Sequence, residues 1–221
     1  MHPQHRKKAK FAVKHPIHFS RLTHLKTDEQ MIQSFSAFFE KYCALSKQAK
    51  DAIDGISQKH QLPKNTMVLS QGQVCRSVFL ISGGLARMFY YHRGNEITNR
   101  FFFDNEVIAD MQSIYSKKPS LFQIQLLEDC QLIEIRYAEL EKLYTQYHEI
   151  ESIGRLLAIE CFLEESEYSR LFQMFSSKHR YIQLLEKYPD IINRVSLGHI
   201  ASYIGVTQVQ LSRIRSQLVR F

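Results

Sequence analysis

Residues 79–135 read FLISGGLARMFYYHRGNEITNRFFFDNEVIADMQSIYSKKPSLFQIQLLEDCQLIEI, and their punctuation decides the fold. Short runs rich in aromatic and β-branched side chains are Val78–Ile81, Ala86–Tyr91, Ile97–Phe103, Phe122–Leu127 and Leu132–Ile135. Turn formers separate several of them: Gly83–Gly84, Gly94–Asn95 and Asp104–Asn105. Just upstream, Met67–Leu69 is a further candidate strand between Asn65 and Gln71–Gly72. Strands this short and evenly spaced, with no helical period between Gln61 and Ile135, predict an antiparallel barrel or jelly roll.

Helical spacing flanks this region on both sides. Ile32, Phe35, Phe38, Phe39 and Tyr42 recur at i, i+3, i+4 and predict an amphipathic helix over 28–43. Ser46 can cap a second helix running to about Gln58. After the strands, residues 137–147 place Leu140, Leu143 and Tyr144 on one side of a short helix. A longer helix is expected from Glu149 to about Phe175. Its middle, LLAIECFL at 156–163, is apolar nearly all round, so it needs cover on more than one side. One side can pack on the chain's own roll. The other is expected to meet the same helix of a second subunit, giving a homodimer; small satellite helices are the alternative cover. Ser176 or Ser177 caps a further helix through Lys187, and Pro189 stops it.

The last 27 residues, VSLGHIASYIGVTQVQLSRIRSQLVRF at 195–221, read as a helix-turn-helix. Ser196 caps the first helix, whose inner face is Leu197, Ile200, Ala201 and Ile204. Gly205 permits the turn, and Thr207 caps the second helix. Leu211, Ile214 and Leu218 face inward there. Val209, Arg213, Ser216 and Arg220 point away, with Ser212 and Gln217 at the flanks. That outward face has cationic and hydrogen-bonding groups but no carboxylate, which suits a duplex major groove. An ordinary amphipathic surface pair is the plainer alternative. The whole chain therefore reads as α+β: an antiparallel β-roll or jelly roll with N-terminal helices, a long dimerisation helix and an all-α C-terminal helix-turn-helix. The expected division is a basic tail at 1–30, a roll at 31–148, the dimerisation helix at 149–176 and the helix-turn-helix domain at 177–221.

Charge is unevenly distributed. Residues 1–26 carry Arg6, Lys7, Lys8, Lys10, Lys14, Arg21 and Lys26 without one Asp or Glu; they account for the whole net charge of +7. Three readings of 1–30 stay open: a solvated disordered tail, a start codon misplaced upstream of Met31, or an arm touching DNA or membrane. From His179 onward, Arg180, Lys187, Arg194, Arg213, Arg215 and Arg220 outnumber Glu186 and Asp190, a modest footprint for phosphates. Cys43, Cys75, Cys130 and Cys161 are too dispersed for a clustered zinc or iron–sulfur site. Reduced, buried thiols in a cytoplasmic protein are expected. No apolar run reaches membrane-span length, and the N-terminus lacks a signal core. No nucleophile-elbow, zinc-protease or phosphate-loop motif occurs, so no enzyme activity, catalytic residue, metal ligand or cofactor is assigned. The scattered histidines, His199 among them, read as surface or capping residues, and Glu164–Glu165 as a solvated face or interhelix contact.

With this order of elements, and with 79–135 and 195–215 carrying the likeness, the chain resembles the Crp–Fnr family of bacterial transcription regulators over roughly 31–218. The resemblance implies a cyclic-nucleotide-binding-type sensor, dimerisation through the long helix, and a second C-terminal helix reading an inverted repeat in double-stranded DNA. RNA polymerase and an unidentified small-molecule effector are further partners it suggests; a membrane is not.

Two departures matter. The family's phosphate cassette, Gly-Glu-Leu followed by Arg-Ser/Thr-Ala, matches Ala109-Asp110-Met111 and Ser120-Leu121-Phe122 here. Ala109 replaces the glycine and Ser120 the arginine, so charge and close backbone approach are both lost. Asp110 could still bind a ribose hydroxyl, and Lys117 and Lys118 either substitute for the arginine or form a solvated loop. Cyclic AMP is therefore not expected to bind in the usual way. Secondly, with only three residues after Leu218, no β-wing is expected to follow the recognition helix. Base contacts are expected from Gln208, Val209 and Arg213, flanked by Ser212. Thr207, Gln210, Arg215 and Arg220 are the candidate phosphate anchors. The alternative is a small-molecule sensor whose C-terminal helices bind protein rather than DNA.

Overall fold

Residues 31–218 are described by the computed structural model. Eight strands form two antiparallel four-stranded sheets: β1 (Ser57–Leu62), β8 (Cys130–Arg136), β3 (Ser77–Gly83) and β6 (Val107–Ile108) in one, and β2 (Met67–Leu69), β7 (Gln123–Leu126), β4 (Ala86–His92) and β5 (Asn95–Phe102) in the other. The pairing follows the hydrophobic pattern. Val78 faces Ile135 and Leu80 faces Ile133 in one sheet, and Met88 faces Ile124 in the other. Side chains alternate across a strand, so one set from each sheet fills a shared interior. Leu80, Ile81, Ala86, Ile124, Leu126, Leu132 and Ile135 are all buried in it. This is the expected roll.

Helices α1 (Phe35–Phe39) and α2 (Lys47–Gly55) close one end of the roll through Phe35, Phe39 and Ile53. Both begin on serine caps, Ser34 accepting from the Ala37 N–H and Ser46 from the Ala49 N–H. The helix anticipated over 28–43 is shorter than expected: it starts only after Ser34, and residues 40–42 are a turn. Residues 28–30 lie outside the described span, as does the tail at 1–30. The second helix ends at Gly55 rather than Gln58, because Ser57 begins β1. Sequence periodicity misses β1, whose SQKHQL offers a single apolar residue. It is a strand because all six residues pair with β8.

Beyond the roll, α3 (Met111–Ser116), α4 (Tyr137–Tyr144), α5 (His148–Met174), α6 (Ser177–Lys187), α7 (Ile191–Arg194), α8 (Leu197–Tyr203) and α9 (Gln208–Leu218) follow. The long helix α5 buries Ile150 and Ile153 against the roll core. Farther along, Ile159, Phe162 and Met174 are exposed. Ser176 caps α6 as expected.

A second core joins the two halves of the chain. Tyr181, Leu184, Tyr188, Ile191, Val195, Ile200, Ala201, Ile204 and Leu211 pack with Leu85, Phe101, Phe103 and Leu127 from the roll. The outer face of the β2-β7-β4-β5 sheet is therefore covered by the chain's own C-terminal helices. Phe103 stacks on Tyr188 with ring centroids 3.9 Å apart, and Phe101 packs on Tyr203 at 5.2 Å.

Candidate nucleic-acid interface

The C-terminal pair α8–α9 has the geometry of a helix-turn-helix. The Ser196 hydroxyl accepts from the His199 N–H, capping α8. Gly205 makes the turn at φ +73°, in the left-handed region. A Cβ there would also lie 2.8 Å from a ring carbon of Phe172, so any other residue would have to displace that ring. At the start of α9, Thr207 and Gln210 form a reciprocal cap. The Thr207 hydroxyl accepts from the Gln210 N–H at 3.2 Å, and the Gln210 side-chain carbonyl accepts from the Thr207 N–H at 2.9 Å.

Leu211 is fully buried beneath α9, with Ile214 and Leu218 partly covered. Gln208, Val209, Ser212 and Arg213 are exposed, Val209 to 62 %, and Arg215 is half-buried. The residues anticipated as base contacts thus share one open surface. Thr207 and Gln210 border it, with side chains already engaged in capping. Arg220 lies outside the described residues.

The cassette residues also come together, but as a sealed cluster. Asp110 caps α3, its Oδ1 accepting from the Ser113 N–H at 3.1 Å. The Ser120 hydroxyl donates to Asp110 Oδ2 at 2.6 Å and accepts from the Phe122 N–H at 2.9 Å. The Ser120 backbone is spent too: its N–H donates to the Gln73 carbonyl at 2.8 Å, and its own carbonyl accepts from the Gly72 N–H at 2.9 Å. Asp110 and Ser120 are both buried, at 6 % and 2 % exposure. Ala109 and Met111 pack on the roll core, while Leu121, Lys117 and Lys118 are exposed. Where an anion would need an N–H and a guanidinium, this cluster has an occupied amide and a carboxylate.

Sequence reasoning missed a third set of residues, which fastens the C-terminal helices to the roll. Arg87 of β4, only 3 % exposed, donates to Glu96 Oε2 (2.6 Å), to Gln125 Oε1 (3.0 and 2.8 Å) and to His199 Nδ1 (2.8 Å). The Ser202 hydroxyl accepts from the Thr98 N–H at 2.7 Å and donates to the Glu96 carbonyl at 2.9 Å. Arg194 forks onto Glu128 at 2.9 and 2.7 Å and reaches Asp104 and the Gly84 carbonyl. Arg180 of α6 ties the helix-turn-helix to the end of α5, donating to the Ile204 and Phe175 carbonyls while stacking over Phe172. A lone arginine within the apolar run of β4 was the one available signal. Its partner His199 lies 112 residues away, a separation no local pattern can reveal.

Charges in the seam are arranged accordingly. Burial pushes the Glu96 carboxyl up, but hydrogen bonding to Arg87 and its charge outweigh this and hold it below the usual range. Burial and the Arg87 guanidinium lower His199, with Glu96 opposing them. Nearby, Glu106 is half-buried, and burial raises its carboxyl despite Arg100 and Lys187. Arg100 bonds to Glu164, which also pairs with Lys187, so Glu164 joins β5, α5 and α6 rather than forming a solvated face.

Comparison with known proteins agrees with this architecture. Residues 59–147 match the model of the cyclic nucleotide-binding domain. The fold is similar to that of FixK2 from Bradyrhizobium japonicum (TM-score 0.64, 16 % identity, 75 % of this chain and 85 % of that one). It is also similar to a Crp/Fnr-family protein from Eubacterium rectale (TM-score 0.65, 18 % identity, 83 % and 88 %). The c-di-GMP-responsive global regulator CLP of Xanthomonas campestris aligns with TM-score 0.61 and 16 % identity over 79 % and 92 % of the two chains. No curated protein matches at a significant level. Residues 59–147 are thus similar to the cyclic nucleotide-binding domain, and most of the chain shares the fold of these solved structures.

Proposed function

We propose that this protein is a dimeric, sequence-specific DNA-binding transcription regulator that does not respond to cyclic AMP. The observation that carries the first part is α9: Gln208, Val209, Ser212 and Arg213 open to solvent on one face, backed by fully buried Leu211. Arginine pairs bidentately with guanine, glutamine with adenine, and an outward valine suits a thymine methyl. Thr207, Gln210 and Arg215 flank that face as phosphate anchors. In this reading 31–148 senses, 149–176 dimerises and 177–221 reads DNA. The exposed Ile159, Phe162 and Met174 of α5 support a second copy as its partner. Two such heads would read an inverted repeat with half-sites one helical turn apart, where the dimer meets RNA polymerase.

Ala109, Asp110, Met111, Ser120 and Leu121 support the second part. An entering phosphate would have to break the Ser120–Asp110 bond and lie beside a carboxylate without a guanidinium to balance it. An effector of another chemistry, or none, is left for the roll.

Selection of bound sites from random duplexes tests DNA reading and half-site spacing together; enrichment of no sequence would overturn it. On the selected site, Arg213→Ala should weaken binding by about 1–3 kcal/mol and relax choice at one base pair. Equal loss on every sequence would make Arg213 a phosphate contact instead. Calorimetry should find no cyclic AMP binding, and micromolar binding would sink that half of the proposal.

A further inference from the structure

We propose that the seam between roll and reading head is a proton-gated clasp: neutral His199 holds α8 on the roll, and its protonation loosens that hold. A guanidinium has five donors and no acceptor. Arg87 can therefore bond His199 Nδ1 only when that nitrogen is unprotonated, which places the ring's one proton on Nε2. A second ring proton removes the acceptor and sets a cation 2.8 Å from another cation. Arg87 cannot swing clear, because Gln125 and Glu96 hold it in place and Phe89 lies 3.9 Å below it.

The groups facing the ring define the gate. Arg87 comes from β4 and Glu96 from β5, Glu96 also accepting from the Tyr91 hydroxyl at 3.2 Å. β7 offers neutral Gln125. On α9, packed against α8 from the other side, the described cations are Arg213 and Arg215, and neither is among the groups that shift the ring. Glu96 would stabilise imidazolium, but its carboxylate is already committed to Arg87, and burial and Arg87 together prevail in lowering His199.

The direction of the response follows. His199 titrates lower in the docked state than when free, so the released head binds the proton more tightly. Docking is fully supported above the ordinary histidine value of about 6.5 and weakens as pH falls from there through the lowered value. The other link that α8 makes to the roll, Thr98 N–H to Ser202, lies three residues along the helix and loses its alignment with it.

The consequence for regulation rests on the DNA-binding reading. In the docked state Gln208, Val209 and Arg213 are exposed, so the roll does not cover them. The docked head is the preorganised form, and release in acid should lower affinity for an inverted repeat, which needs both heads in fixed orientation.

Two readouts separate the clasp from DNA reading. Hydrogen exchange at the Thr98 amide, corrected for the intrinsic rate, reports docking without DNA. Between about pH 7.5 and about pH 5.5 its protection should fall in the wild type, by at most about 10-fold. His199→Asn keeps an acceptor near the Nδ1 position but cannot take the proton, so its protection should not change. Unchanged wild-type protection, or the same loss in H199N, would overturn the clasp. If H199N is already undocked at the higher pH, the ring titration in the wild type decides: a value below that of free histidine, in step with Thr98 exchange, supports the clasp, and one at or above it refutes it. Anisotropy on a selected duplex forms the second arm. Affinity should drop further in the wild type than in H199N over the same interval, by up to about 10-fold per head. Thr98 release with no such difference overturns the regulatory half alone. Binding of no duplex at either pH overturns DNA reading and leaves the exchange result standing.

Discussion

Two buried polar clusters in this molecule solve the same problem with different consequences. In the roll, Asp110 and Ser120 satisfy each other and the adjacent backbone. Every partner there belongs to the roll, so the cluster seals a cassette and links nothing else. In the seam, Arg87 is satisfied by Glu96 and Gln125 within the roll but also by His199 of the C-terminal helices. Buried donors must be paired wherever they lie. When the partner sits on another unit, that obligation becomes a coupling between units, and a titratable partner makes the coupling conditional.

The largest expected effect separates the two clusters most sharply. Arg87→Met removes the donor to three partners at a nearly closed site, and unfolding of the full chain in urea should lose about 3 kcal/mol. Thr98 amide protection should collapse at every pH; retained protection would show that Arg87 does not hold the head. Ser120→Ala should cost about 2 kcal/mol, because a buried carboxylate oxygen loses its donor. Here Thr98 protection should survive under native conditions, and its loss would mean that the cassette and the seam are coupled after all. The smallest change is Ser202→Ala, about 1 kcal/mol for the crossing link between the Thr98 amide and the Glu96 carbonyl. It should raise the exchange rate at Thr98 while leaving the amide of Ser120, bonded inside the roll, as protected as before.

Much of this architecture was legible because local chemistry and tertiary structure agree. The strand runs of 67–135, the Ser46, Ser176 and Ser196 caps, the span of α5 and the turn at Gly205 all appear where the spacing places them. The failures share a cause. β1 is polar and exists through its pairing with β8, β6 is two residues long, and α7 is a single turn ending near Arg194. Asp110 matched a family position, and its second role as the cap of α3 was readable from the polar-to-apolar step at Asp110–Met111. His199 was read as a surface or capping residue because its helix shows only the face toward α9.

The sequence by itself determined the roll, the long helix and the open face of α9, since period, caps and turn residues act within a few positions of one another. It also puts Ser120 where the resemblance would call for an arginine, a matter of composition at one site. Only the tertiary structure decided that Asp110 and Ser120 pair in a buried cluster, and that the outer face of the β2-β7-β4-β5 sheet seats the C-terminal helices. Both depend on pairing donors with acceptors, Asp110 with Ser120 ten residues on and Arg87 with His199 112 residues on. Such pairings are set by burial, which exists only once the chain has folded.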